Sequence, residues 1–386
     1  MDEGIVPVGG TVGILGGGQL GRMMALAGRA MGLHTLIWDP DPLAPAAQAA
    51  DDHIVAPYDS ISALSEFAAR IKCATYEFEN VHSETAQQLS QLCSVYPPPE
   101  LLQVSQHRLV EKDSARALGL ATTLYGPATS PDEALNAVRR LGVPGLFKTV
   151  SGGYDGKGQA LVESVNAVGA AYQSLQGHGD LMYERWVEFQ TEVSVVVARD
   201  RYGKVVTYPV TENHHRRGIL DWSVTPAEVS SDHERLMTEQ ARDVAEGLNL
   251  VGVMALEFFV TADGRVLFNE MAPRPHNSGH WTIEGAWPSQ FTQHMRAIAG
   301  WSVATPRFLS PTLMMNLLGD GFVDGFEMLP RVMELEGVQL HWYGKKDMRP
   351  GRKVGHVTIV GDCVPRLKET AEAVRQILGG RCNDGA

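Results

Sequence analysis

Two apolar runs, Val253–Val260 and Val266–Met271, flank the segment Ala262-Asp263-Gly264-Arg265. Asp-Gly is a favoured two-residue hairpin loop, which sets Ala262 opposite Arg265. Continued along both strands, that register sets Glu257 opposite Glu270. Directly opposed residues share a face, with Cβ atoms about 4.5–5.5 Å apart. Two carboxylates so placed among apolar residues repel, and desolvation adds to the cost. The arrangement makes sense if divalent cations bridge them, with Asn269 adding an amide oxygen nearby. An oxygen-only donor set favours Mg²⁺ or Mn²⁺, commonly shared with nucleotide phosphates. The competing reading is the solvated face of an exposed hairpin.

A second constellation lies upstream. Lys148-Thr149-Val150-Ser151-Gly152-Gly153-Tyr154-Asp155-Gly156-Lys157-Gly158-Gln159 carries four glycines between two expected strands. It is not a Walker A loop, because Gly158 stands where Ser or Thr is required and a strand follows in place of a helix. Its backbone N–H groups are still suited to polyphosphate, with Lys148 and Lys157 supplying charge. Downstream, Glu184-Arg185-Trp186-Val187 follows a strand, and Glu192 lies a few residues on. A short segment with exposed backbone groups beside an acid suits an adenine edge and ribose hydroxyls. Near the N-terminus, Gly16-x-Gly18-x-x-Gly21 matches a dinucleotide fingerprint, with Asp39 near the position of a ribose-binding acid. That motif alone suggests an NAD-dependent dehydrogenase, but any βαβ unit needs glycines at its turn. The phosphate loop and the paired carboxylates argue for ATP chemistry over hydride transfer. His214-His215 has no third ligand at metal spacing, so zinc is not expected.

The elements that must position these residues follow from pattern. Strand Thr11–Leu15, the glycine turn, a helix through Met23–Ala30 and strand Thr35–Trp38 form a βαβ unit of a doubly wound sheet. Alternation continues to about Tyr96, where Pro97-Pro98-Pro99 marks a boundary. Arg108 to about Gly142 reads as helical, and Gly145–Val150 and Ala160–Val162 as strands around the glycine loop. Further strands are expected at Leu181–Glu184, Val193–Ala198, Val205–Tyr208 and Met254–Val260, interrupted by a helix near Asp232–Glu246. The C-terminal part reads as strands Gly337–Tyr343 and Gly355–Val360 and a helix near Arg366–Leu378. With 386 residues and 44% hydrophobic content, the chain has room for two or three domains. No apolar run approaches the roughly 18–20 residues of a membrane span. The acidic Met-Asp-Glu-Gly start is unlike a secretory signal. Four cysteines without metal or disulfide spacing fit a reducing cytosol, so a cytoplasmic location is expected. A net charge of −12 argues against general nucleic-acid binding. It leaves room for a local basic pocket, and Lys345, Lys346, Arg349, Arg352 and Lys353 form one suited to a ribose phosphate.

Together these residues resemble the ATP-grasp enzymes. Within that superfamily, GGGQLGRM (Gly16–Met23), YEFENV (Tyr76–Val81), GGYDGKGQ (Gly152–Gln159), APRPHNSGHW (Ala272–Trp281) and RPGRKVGH (Arg349–His356) resemble the 5-(carboxyamino)imidazole ribonucleotide synthases of purine biosynthesis. The resemblance implies a multi-domain α/β and α+β fold: a Rossmann-like N-terminal domain (1–105), an ATP-grasp domain (106–304, lid about 120–187) and a small β-rich C-terminal domain (305–386). It implies ATP- and bicarbonate-dependent carboxylation of the amine of 5-aminoimidazole ribonucleotide through carboxyphosphate, with ADP and phosphate released. By the same resemblance Arg108, Lys148, Gly153–Gln159, Glu184, Arg185, Trp186, Val187, Glu192, His215, Asn269 and Glu270 would hold ATP. Glu257 and Glu270 would bind Mg²⁺, with Mn²⁺ as a substitute. Gln19, Leu20, Glu77, Lys345, Arg352 and Lys353 would hold the ribonucleotide. Tyr154, Asp155, Arg274, His276 and Asn277 would surround bicarbonate and the attacking amine, with Asp155 accepting a proton. The glycine loop would close as a lid over the labile intermediate. A homodimer is also implied. Alternatives are another ATP-grasp ligase, such as a formate-dependent glycinamide ribonucleotide transformylase or a biotin carboxylase, and a nucleotide-binding protein without turnover.

Overall fold

The computed structural model describes residues 4–78, 83–153, 158–322 and 326–379. Among these residues no helix is long and apolar enough to cross a membrane.

The N-terminal sheet has five parallel strands in the spatial order Asp52–Ile54, His34–Trp38, Thr11–Leu15, Cys73–Tyr76, Ser94–Val95. The Thr11–Leu15 strand is buried from Val12 to Leu15 and carries no polar side chain there, because both of its faces are covered. Val12 and Ile14 pack with Leu20 and Met24, whereas Leu15 packs with Trp38, Phe67 and Tyr76 on the other side. The first group includes Met295 and Ile298 of helix Gln290–Ile298, which also packs on strand Gly252–Val260 of the central sheet. His294 on this helix ties the two sheets together. Its Nδ1 accepts the Val253 N–H (3.1 Å), so the proton sits on Nε2, which lies 2.8 Å from Thr75 Oγ1. Burial pushes the His294 pKa down to about 3, which keeps the ring neutral.

The central sheet has nine antiparallel strands among the described residues, eight along one path and Val205–Thr207 paired beside Thr191–Arg199. Its path starts at the edge strand Val266–Ala272 and runs through Gly252–Val260, Thr191–Arg199, Thr211–Arg216 and Ile219–Thr225. It continues through Thr312–Leu318 and Lys353–Val360 to Val338–Trp342. The C-terminal strands therefore extend the same sheet, with their own core under helix Val364–Ile377. A separate four-stranded sheet, Tyr125–Pro127, Leu181–Arg185, Gly145–Thr149 and Gln159–Val162, packs on helices Pro131–Leu141 and Val168–Ser174.

Strands Tyr125–Pro127, Thr211–Arg216, Ile219–Thr225 and Thr312–Leu318 go beyond the sequence expectation. The stretch Arg108–Gly142 is not helical throughout: helix Arg108–Ala117 ends at Leu118, and Tyr125–Pro127 is a strand. Gly119, at φ 86°, closes the helix in a conformation that favours glycine. The strand exists because it pairs with Leu181–Arg185, a partner more than fifty residues away. Thr211–Arg216 has no apolar alternation, so nothing local marks it as a strand. It forms a hairpin with Ile219–Thr225 across Arg217 and Gly218, both at positive φ (53° and 77°), which suits a two-residue hairpin turn.

Candidate active site

Glu257 and Glu270 are register partners, as the sequence predicts, although the turn joining their strands is longer than a two-residue Asp-Gly loop. Thr261 N–H donates to Arg265 O and Gly264 N–H to Thr261 O, both at 2.9 Å, so Val260 pairs with Val266. That register alone would place Glu257 opposite Asn269. One extra residue on the edge strand, Asn269, lies between the pairs Phe258–Phe268 and Glu257–Glu270 and restores the alignment. Such a bulge re-aims side chains, and both Asn269 and Glu270 line the same cavity. Burial, then the charges of Glu270 and Glu192, push the Glu257 carboxyl up to about 8. For Glu270 burial acts in the same direction, but the Arg108 and Lys148 cations outweigh it and lower its pKa. Arg108 Nη1 donates to Glu270 Oε2 (3.0 Å) and Nη2 to Gly153 O (3.1 Å).

Glu184 is the second centre. On the four-stranded sheet Leu146 pairs with Glu184 and Lys148 with Met182, which brings Lys148 and Glu184 onto one face. Glu184 is 4% exposed. Its Oε2 lies 2.5 Å from Lys148 Nζ, its Oε1 lies 2.6 Å from Lys112 Nζ, and Thr123 Oγ1 donates to it. Burial raises the Glu184 pKa, yet the two ammonium groups overcome it and hold the carboxyl well below its usual range. Lys112 escaped the sequence reading, as did Glu111 beside it, because both stand in an ordinary amphipathic helix with no local mark. On the far wall His215 Nδ1 lies 2.8 Å from Glu192 Oε2, and this contact raises the imidazole pKa against the opposing effect of burial.

The predicted residues converge on one cavity of about 1010 Å³. Arg108, Lys148, Gly153, Gln159, Glu184–Val187, Glu192, His215, Glu257, Asn269 and Glu270 line one part of it. Arg274, His276 and Asn277, then Gln19, Leu20, Glu77, Lys345, Arg352 and Lys353, line the rest. Arg349 of the expected basic cluster also lines it, as does the aromatic Phe189, stacked on Phe259 at 4.6 Å, which was not foreseen as a site residue. Gly158 is not part of the wall; its carbonyl accepts the Thr149 N–H (2.9 Å), and its φ of 70° makes a side chain there unfavourable. Tyr154, Asp155, Gly156 and Lys157 lie outside the described residues.

Several polar groups are already engaged. His276 Nδ1 faces Ser278 Oγ (2.9 Å), and its Nε2 lies 3.6 Å from Glu257 Oε1. Asn277 and Asn316 exchange amide hydrogen bonds (3.0 and 2.7 Å), which fixes the Asn277 side chain. Arg352 Nη1 lies 3.0 Å from Asp347 Oδ2. At the first glycine turn the dinucleotide reading fails for a physical reason. Glu77 accepts the N–H groups of Gly18 (2.6 Å) and Gly21 (3.0 Å), and Asp39 accepts that of Gly17 (2.7 Å). The protein's own carboxylates occupy the helix N-terminus where a pyrophosphate would sit. Each Glu77 oxygen accepts one backbone N–H, which leaves acceptor capacity on a carboxylate that also lines the cavity.

The ATP-grasp domain family matches residues 113–291. The ribonucleotide synthetase preATP-grasp domain matches 10–106, and the phosphoribosylaminoimidazole carboxylase C-terminal domain matches 312–370. Fold and site are thus those of the ATP-grasp class. Over 93% of its length the chain is 42% identical to the N5-carboxyaminoimidazole ribonucleotide synthase of Brucella melitensis, covering 98% of that protein. A crystal structure of N5-carboxyaminoimidazole ribonucleotide synthetase in its ADP complex matches with a TM-score of 0.92 at 38% identity, over 99% of this chain and 100% of that one. The Aspergillus clavatus synthase in complex with ADP and 5-aminoimidazole ribonucleotide matches with a TM-score of 0.89 at 26% identity, over 96% and 99% of the two chains. The chain belongs to the N5-carboxyaminoimidazole ribonucleotide synthase family.

Proposed function

We propose that the chain joins bicarbonate to the exocyclic amine of 5-aminoimidazole ribonucleotide at the expense of ATP, releasing ADP and phosphate. The observation that carries this reading is the cavity in which Lys148 with Gly152–Gly153, the two facing carboxylates and a basic loop meet. Lys148, Arg108 and the backbone of Gly152–Gly153 are suited to polyphosphate, and Trp186, Val187 and Phe189 to the base. A divalent cation fits the donor set of Glu257, Glu270 and Asn269: it is all oxygen, and Glu257, 5% exposed, is costly to ionise without a counter-charge. Mg²⁺ bound there would neutralise charge on the transferring phosphoryl group.

The remaining steps fall to the chain's own groups. Arg274 suits a bidentate hold on bicarbonate, orienting its oxygen toward the γ-phosphorus. Attack forms carboxyphosphate and ADP. The amine then attacks the carboxyl carbon, phosphate leaves, and the amine proton passes to a base, the role proposed for Asp155. Lys345, Arg349, Arg352 and Lys353 suit the ribose phosphate. A homodimer and a cytoplasmic location complete the reading, which rests there on family resemblance and composition. The test is ADP release in Mg·ATP with each acceptor pair in turn. Release requiring both bicarbonate and 5-aminoimidazole ribonucleotide supports the assignment. Release driven by formate with glycinamide ribonucleotide, or by biotin, assigns a different ATP-grasp ligase.

A further inference from the structure

Strand Val266–Ala272 is the edge of the central sheet, so its outward peptide groups need partners from elsewhere. Helix Arg108–Ala117 packs against this edge and supplies them from two adjacent residues, each 2% exposed. Lys112 Nζ donates to Asn269 O (3.1 Å), and Glu111 Oε1 accepts the Met271 N–H (2.7 Å). The Asn269 carbonyl belongs to the peptide preceding Glu270, and the Met271 N–H to the peptide following it. Both peptide planes that set the Glu270 backbone are therefore held by one dipeptide of one helix. This is also the bulge that turns Asn269 and Glu270 into the cavity. Lys112 reaches further, pairing with Glu184 at 2.6 Å, whose other oxygen pairs with Lys148.

We propose that Glu111 and Lys112 are positioning residues that fix the Asn269–Glu270 bulge in the geometry a divalent cation requires. Lys112 also links that geometry to the phosphate-binding lysine through Glu184. The inference rests on the reading of Glu257 and Glu270 as cation ligands. Glu111 acts through the backbone: the oxygen it commits to Met271 is an acceptor that a glutamine amide oxygen reproduces. Outer partners of this kind change metal affinity by about 10- to 100-fold when removed.

The test is binding of Mn²⁺ to the full chain in the presence of ADP, read by electron paramagnetic resonance, with metal-free ADP binding measured by calorimetry as the control for folding. Glu111→Leu is expected to weaken Mn²⁺ binding by about 10- to 100-fold while leaving metal-free ADP affinity in place. Glu111→Gln is expected to bind Mn²⁺ close to the parent. Parental Mn²⁺ affinity in Glu111→Leu overturns the proposal. Equal loss in Glu111→Gln and Glu111→Leu also overturns it, because the charge would then be ligating the metal directly. If Glu111→Leu does not fold, Glu111→Ala takes its place on the same two criteria. Glu270→Gln separates the two layers. Parental Mn²⁺ affinity in that variant removes the cation site itself, whereas its loss beside an intact Glu111→Leu removes only the positioning role.

Discussion

Replacing Glu184 by Gln removes the carboxylate that pairs with both interior ammonium groups, Lys112 and Lys148. Their side chains are only 3% (Lys112) and 12% (Lys148) exposed, so water does little to compensate. The glutamine oxygen accepts from one lysine, but its NH₂ group faces the other as donor against donor. Lys112 keeps Thr123 and the Asn269 carbonyl, so the larger loss falls on Lys148. Removing one member of a buried ion pair costs about 3–5 kcal/mol, and the partners left to Lys112 place this case near 3 kcal/mol. For 386 residues unfolding as a unit, that corresponds to a fall in Tm of about 4 °C. The native Glu184 carboxyl titrates below its ordinary 4.5, so its stabilisation is present above that pH and is lost as the pH falls through the native value. The assay is urea denaturation of the parent, Glu184→Gln, Lys148→Met and the double variant at pH 7 and at pH 4. The double variant is expected to lose less than the two single losses combined, and the gap between parent and Glu184→Gln to narrow at pH 4. A loss under about 1 kcal/mol, the range of an exposed pair, would refute the claim that this trio is a buried, mutually dependent unit.

Other consequences follow from the same geometry. Glu257→Gln is expected to abolish ADP formation while its denaturation midpoint stays at or above the parent value, since the neutral amide is never ionised in the interior; near-normal turnover would take Glu257 out of the cation site. Glu111 and Glu257 each have a native pKa pushed up to about 8, against an ordinary 4.5, so the folded state holds their protons more tightly. Their contribution is complete below pH 4.5 and is lost as the pH rises through about 8, so metal-free protein is expected to be less stable at pH 8.5 than at pH 5.5. Mg²⁺ with ADP is expected to reduce that difference, and denaturation midpoints independent of pH and ligand would contradict it. Gly18→Ala sets a Cβ 2.3 Å from Glu77 Oε1 and is expected to cost about 2 kcal/mol by thermal melting. Parental stability in that variant would show that the Glu77 cap is dispensable.

Much of the site was legible because its residues come in short, chemically unusual runs. Gly152–Gly153, the Glu184–Val187 segment and Arg274–Asn277 each bring more than one lining residue together, and the fold has only to aim each run at one cavity. The Glu257–Glu270 pairing was also readable, although it rests on two departures that cancel: a longer turn shifts the register by one, and the bulge at Asn269 shifts it back. Glu111 and Lys112 were not readable. Their partners lie about 160 positions away, and nothing in RLVEKDSARA distinguishes them from the surface charges of any amphipathic helix. The same holds for the polar strand Thr211–Arg216, which owes its conformation to neighbours on both sides. The glycine fingerprint misleads in the opposite direction. Its turn and helix form as expected, but a Glu from the next strand end fills the anion position, a contact across 59 residues that the motif cannot encode.

The central claim is that ATP activates bicarbonate by phosphorylating it in this cavity. It is tested most directly by turnover with ¹⁸O-labelled bicarbonate and 5-aminoimidazole ribonucleotide, with the released phosphate read by ³¹P NMR. Attack of a bicarbonate oxygen on the γ-phosphorus carries one label into phosphate, and the account predicts singly labelled phosphate formed in step with ADP. Unlabelled phosphate, formed while bicarbonate exchange with water is still slow, would mean that water or another group takes the phosphoryl, and would contradict it.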